Sequence, residues 1–112
     1  MIETLAPFDV RDGDVVSGGD IPVAVTAAPL RYDDGACQTF ASSGHTTYVE
    51  DGRRTDGEWS VDAFRRFTSF WPPSHRATYE LTWLVDGGAV TGLRFVDTRS
   101  GASFEGRFQS QA

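Results

Sequence analysis

The sequence predicts a mostly β protein of the α+β class: short N-terminal strands, one amphipathic helix at about 61–70, then a three-stranded antiparallel meander. Three observations support this prediction. Apolar and polar residues alternate over the last third of the chain, an aromatic stripe with helical spacing ends at Pro72-Pro73, and turn formers divide the region before Leu30 into short apolar runs. This order favours a sheet with the helix on one face or end, and a partly closed barrel is the alternative.

The meander has the clearest pattern. Its expected strands are 77–85, 89–96 and 102–108. Tyr79, Leu81 and Trp83 share one face of the first strand under the period-two rule, and Asp86-Gly87-Gly88 provides the turn that follows. Both faces of this sheet carry apolar residues, which is compatible with a barrel or a sandwich.

The expected helix begins after Ser60, which is a suitable N-cap, and Asp62 lies in its first turn. Proline disfavours helical conformation in the residue before it, so Pro72-Pro73 ends the helix near Phe70. The residues on its apolar stripe are Val61, Phe64, Phe67 or Thr68, and Trp71.

Two further β regions are expected before the helix. Between Ile2 and Leu30 we expect two or three short strands, the best of them at 22–27, where Val23 and Val25 would share a face. The second region covers 38–50, whose β-prone centre is Thr46-Thr47-Tyr48-Val49.

Length and composition indicate one folded domain over residues 1–112. Apolar residues make up 39% of the chain, which is enough for one core at this size. The 16 acidic and 10 basic residues give a net charge of −6, which argues against binding to nucleic acid or to an anionic membrane surface. All basic residues are arginine and the chain has no lysine or asparagine, a bias typical of a GC-rich genome.

The sequence shows no secretory signal and no apolar run long enough to span a membrane, so we expect a cytoplasmic protein. Cys37 is the single cysteine, so an intramolecular disulfide is excluded.

Metal and nucleophile sites are poorly supported. The early acidic residues do not have the spacing of a calcium loop and are expected in turns; they are Asp9, Asp12, Asp14 and Asp20. Cys37, His45 and His75 share no metal-ligand spacing, and a nucleophile pair of Cys37 with either histidine has only the residue types in its favour. We therefore expect no metal, no cofactor and no catalytic residue.

Charge is unevenly distributed along the chain. Residues 53–76 carry five arginines and three acidic residues, so the predicted helix and its flanks are locally basic on an acidic protein. Arginine and aromatic residues are enriched at protein interfaces. The predicted partner-binding residues are Arg53, Arg54, Trp59, Arg65, Arg66, Trp71 and Arg76.

These observations favour a non-catalytic domain that binds another protein, such as an inhibitor, an immunity or accessory protein, or a phage or assembly component. Self-association into a homo-oligomer stays open. The alternative is a small barrel or cone that binds an apolar small molecule, including a cyclase or isomerase that needs few catalytic residues. Its predicted pocket residues are Tyr79, Glu80, Trp83, Phe95 and His75.

Overall fold

A computed structural model describes residues 5–109, which form one short helix and eight strands. The helix α1 spans Ile21–Thr26. Strands β1 to β8 are, in chain order, Leu30–Tyr32, Cys37–Phe40, His45–Glu50, Arg53–Val61, Phe67–Trp71, His75–Asp86, Ala89–Asp97 and Ser103–Phe108. Residues 1–4, where the N-terminal β region was expected to begin, lie outside the described residues.

The eight strands form a closed antiparallel barrel in which each strand pairs with its neighbours in sequence and β1 pairs with β8. The closing pair aligns Leu30 with Phe108 and Tyr32 with Gly106. Closure removes the unpaired edges that an open sheet would have. The mostly β prediction is confirmed, but the α+β class is wrong because the eight strands close into a barrel and the described residues contain only one helix, of six residues.

The expected meander is present and longer than predicted. It consists of β6, β7 and β8, with Leu81 opposite Phe95 and Phe95 opposite Phe104. Leu81, Trp83, Leu93 and Phe95 are all buried, because the alternating apolar face of these strands lies inside the barrel.

The helix predicted at 61–70 is wrong: β4 extends to Val61, a turn follows, and β5 begins at Phe67. In that turn the Asp62 carboxylate accepts hydrogen bonds from the backbone amides of Phe64 and Arg66, both at 2.9 Å. Phe64, expected on the buried stripe, is 78% exposed. Phe67 and Trp71 fit a period of two as well as a helical period, and pairing on both sides of β5 decides between them.

The strand predicted at 22–27 is also wrong, since this segment contains α1. Ile21, Ala24 and Val25 are buried, a spacing that places them on one side of a helix. Pro22 is tolerated because it lies in the first turn, where its missing amide has no helical partner. Within residues 5–109, no helix is both long and apolar enough to cross a membrane.

One end of the barrel is closed by the N-terminal part of the chain. The amide of Val16 donates to the carbonyl of Leu81 and the amide of Trp83 donates to that of Asp14, both at 2.8 Å, so this segment pairs with β6. The Phe8 ring lies 4.9 Å from the Trp83 ring. Because α1 belongs to the same apolar core, access to the interior is left to the opposite end.

A candidate ligand-binding cup at the open end of the barrel

The open end of the barrel is surrounded by four loops, at 33–36, 51–52, 72–74 and 98–102. Beneath them lies a cavity of about 550 Å³, which we call the cup. Binding sites for small molecules typically have volumes of roughly 300–1,000 Å³. An eight-stranded barrel is just wide enough to hold one small ligand when its side chains leave room. The cup therefore has the size and position of a small-molecule site.

Five aromatic side chains on five different strands surround the cup, and we call them the aromatic belt: Tyr32, Tyr48, Trp71, Tyr79 and Phe104. The ring centroid of Tyr48 lies 6.2 Å from that of Trp71 and 6.2 Å from that of Tyr32. The ring centroid of Phe104 lies 5.4 Å from that of Tyr32 and 5.6 Å from that of Tyr79, and both contacts are edge to face. Such contacts hold the rings in fixed orientations and stabilise the wall.

Two phenylalanines form the floor of the cup. Phe67 and Phe95 are 2% and 1% exposed, with ring centroids 5.6 Å apart. Phe95 also stacks on Phe104 at 5.0 Å, which joins the floor to the aromatic belt. Below them the barrel is filled, so a ligand would be limited to the upper half of the interior.

Two glycines make room for rings of the aromatic belt. A Cβ atom at Gly57 would lie 2.6 Å from Cε3 of Trp71, and one at Gly106 would lie 2.9 Å from Cε1 of Tyr32. Both distances are too short for real carbon contacts, so any other residue would displace the ring or the strand. The positions of Trp71 and Tyr32 therefore depend on glycine in the neighbouring strand.

A buried chain of hydrogen bonds runs from the cup into the wall. The Tyr32 hydroxyl donates to Oε1 of Gln38 at 2.6 Å, and Nε2 of Gln38 donates to Oγ1 of Thr46 at 2.9 Å. Thr46 in turn donates to the carbonyl of Thr39 at 2.8 Å. The three side chains are linked in series, which fixes both the Gln38 amide and the Tyr32 ring in the wall.

Below the rim, the polar groups in the wall of the cup are few and carry no charge. Ser69 and Tyr79 place hydroxyl groups in the wall. Burial, together with the nearby Asp97 carboxylate, raises the pKa of Tyr79 above its usual value. Burial also raises the pKa of Tyr32 far above its usual range. Both tyrosines stay protonated; the Tyr32 hydroxyl already donates to Gln38, whereas the Tyr79 hydroxyl can donate to a ligand.

Acidic residues occupy the rim. Three of the cup's lining residues are acidic, namely Asp33, Asp34 and Glu105, and no arginine or histidine is among its described lining residues. Glu105 is paired with Arg94 at 3.6 Å and Arg107 at 3.4 Å. None of the five ion pairs in the described part of the chain involves Asp33 or Asp34.

The predicted pocket residues are brought together only in part. Tyr79 and Phe95 line the cup. Trp83 is buried at the closed end, Glu80 is exposed on the outside of β6, and His75 is exposed at the open-end start of β6, opposite Trp71. Sequence reasoning placed Trp71 on a helix and did not select the other lining side chains, among them Tyr32, Gln38, Tyr48, Ser69 and Phe104. Alternation within each strand was the available signal, but it does not show which strands face one another.

The predicted partner-binding residues are spread over the barrel. Arg53 and Arg54 begin β4 at the open end, whereas Arg65 and Arg66 lie in the turn after β4, at the closed end. Trp59 is 7% exposed and belongs to the core. Trp71 lies in the aromatic belt, and the Arg76 guanidinium lies 4.9 Å from the centre of the Phe70 ring.

The candidate metal and nucleophile residues also have local roles. Cys37 pairs with Val49 on the open-end side, whereas His45 begins β3 at the other end and contacts Asp56 at 3.3 Å. The strand pairing therefore separates Cys37 from His45. His75 is exposed at the start of β6.

The early acidic residues bind neighbouring donors. The Asp12 carboxylate accepts from the amide of Val85 at 2.9 Å, and that of Asp14 accepts from the amide of Arg11 at 2.9 Å. Asp20 accepts from the Ser17 hydroxyl, and Asp9 is exposed. These contacts fasten the N-terminal segment onto β6 and stabilise its turns.

Comparison with protein-family models, with curated proteins and with solved structures finds no match to this chain.

Proposed function

We propose that the protein binds a small, largely apolar molecule in the cup. The observation that supports this most strongly is a cavity of about 550 Å³ walled by seven aromatic side chains at the open end of a barrel whose other end is closed. Ligand sites combine such apolar walls with a small number of placed polar groups. Here those groups are the hydroxyls of Ser69 and Tyr79, while the Tyr32 hydroxyl and the Gln38 amide are bonded to each other in the wall.

The proposal is one of binding rather than catalysis. The described residues that line the cup include no histidine, cysteine or lysine. Its tyrosines have raised pKa values, so they are poor proton acceptors near neutral pH. The wall is better suited to holding and orienting a molecule than to moving protons.

A protein partner, including a second copy of this chain, stays a prediction with less support. The basic region that motivated it is divided between the two ends of the barrel, and Trp59 is not available at the surface. As for the compartment, we propose the cytoplasm, because a protein with one cysteine does not depend on an oxidising environment for a disulfide.

The proposal is tested by two-dimensional amide NMR on the 15N-labelled protein during titration with a panel of small aromatic and aliphatic compounds. We expect saturable shifts at amides around the cup, such as Gln38, Ser69 and Phe95, with none at Val16 or Ala24 at the closed end. Shifts scattered over the surface, or none with any compound, would contradict the proposal.

A further inference from the structure

We propose that the ligand of the cup is an organic cation, an apolar body bearing a quaternary or protonated amine held between the aromatic belt and the carboxylates of Asp33 and Asp34. This inference rests on the proposed function, and it specifies the chemical class of the ligand. It is carried by two independent features of the cup, the arrangement of its rings and the sign of its rim charge.

The rings are the first feature. Members of the aromatic belt stand on β1, β3, β5, β6 and β8, so they approach an entering group from several sides. Neighbouring rings contact one another, with centroids 5.4 to 6.2 Å apart, so they form a continuous aromatic wall around the cavity. Aromatic faces attract cations within about 6 Å of their centres, and tryptophan and tyrosine do so best. Four of the five belt residues are tryptophan or tyrosine.

The rim is the second feature. The ion pairs of Glu105 with Arg94 and Arg107 compensate one of its three carboxylates. Asp34 accepts a hydrogen bond from the amide of Ala36 at 3.0 Å, which fixes its carboxylate in the loop without neutralising it. Asp33 and Asp34 therefore leave uncompensated negative charge at the mouth of an apolar cavity, where a charge acts more strongly than in open solvent.

The tyrosines report the same negative field. Burial is the main cause of the raised pKa of Tyr48, and the carboxylates of Asp34 and Glu50 raise it further. Asp97 acts in the same direction on Tyr79. A carboxylate that disfavours a phenolate in the wall would disfavour any other anion there and would favour a cation.

A test compares three probes of one shape: (2-naphthylmethyl)trimethylammonium, its neutral carbon isostere 2-neopentylnaphthalene, and the anion 2-naphthylmethanesulfonate. Binding is measured by equilibrium dialysis at low and at moderate salt. We expect the cation to bind at least about tenfold more tightly than the isostere at low salt and the anion to bind most weakly. Salt should reduce the preference for the cation, because the carboxylates are at the rim.

The double variant Asp33→Asn, Asp34→Asn should reduce the preference for the cation over the isostere to about threefold or less. Its affinity for the isostere should stay within about twofold of that of the unmodified protein. Asp86→Asn, an exposed carboxylate at the closed end, is the matched control and should change neither value. If the isostere binds as tightly as the cation, the inference is overturned and the proposed function stands. If no probe binds, both fail.

Discussion

The indole of Trp71 lies against the α-carbon of Gly57 on the neighbouring strand, so closely that a methyl group there would meet the ring at 2.6 Å and the carbonyl of Phe70 at 2.7 Å. Gly57→Ala should therefore move Trp71 or the β4–β5 pair. We expect a loss of about 1–3 kcal/mol in the free energy of unfolding, and altered tryptophan fluorescence. Gly19→Ala, where nothing lies within 4 Å of the added carbon, is the control in urea denaturation. Equal stability of the two variants would argue against this packing.

The buried hydrogen bond between Tyr32 and Gln38 gives a second prediction. Gln38→Leu removes the acceptor of the Tyr32 hydroxyl and should destabilise the protein by about 1–3 kcal/mol. Tyr32→Phe in the same background should cost much less than Tyr32→Phe alone, because the hydrogen bond is already lost and the substitution removes only an unpaired hydroxyl. A double-mutant cycle by urea denaturation measures this coupling, and additive losses would contradict it.

Phe64 and Phe67 distinguish the barrel from the helix that the local pattern favours. Phe67 is 2% exposed and Phe64 is 78% exposed. Phe67→Ala should cost about 3–5 kcal/mol, whereas Phe64→Ala should stay within about 0.5 kcal/mol. Thermal and urea unfolding of the two variants test the assignment, and similar losses at both positions would favour the helix.

Stability should fall at alkaline pH through Tyr32. Its pKa is raised above the ordinary value of 10.0, mainly by burial, so the unfolded chain releases this proton at a lower pH than the folded protein. The stabilisation is fully present below pH 10 and is lost progressively as the pH rises above it. Urea denaturation between about pH 8 and 11 measures the decline. Tyr32→Phe should flatten it, and an unchanged slope would contradict the assignment.

Local patterns predicted the part of the fold in which neighbours along the chain are also neighbours in the sheet. Alternation through Tyr79, Leu81 and Trp83 predicted β6 correctly, because Asp86-Gly87-Gly88 places the next strand beside it. Phe67 and Trp71 satisfied a helical and a strand period alike, and only the pairing of β5 with β4 and β6 decides between them.

Closure of the barrel depends on contacts between distant parts of the chain. Leu30 pairs with Phe108, and no local signal relates these positions. The same pairing brings Tyr32 beside Phe104, so this contact between two of the five belt residues exists only once the barrel has closed. Tyr79 and Phe95 could be predicted as pocket residues because they share a hairpin. Tyr32 and Tyr48 lie on strands outside the predicted meander.

The central claim is that the cup binds its ligand inside the barrel. Ser69→Leu places a larger side chain at a lining position that is 3% exposed, and Ser60→Leu makes the same change at an exposed position on β4. The decisive measurement is the affinity of both variants for the strongest-binding probe, by equilibrium dialysis, with folding checked by circular dichroism. We expect Ser69→Leu to weaken binding by about tenfold or more while Ser60→Leu leaves it unchanged. Undiminished binding by a folded Ser69→Leu variant would contradict the claim.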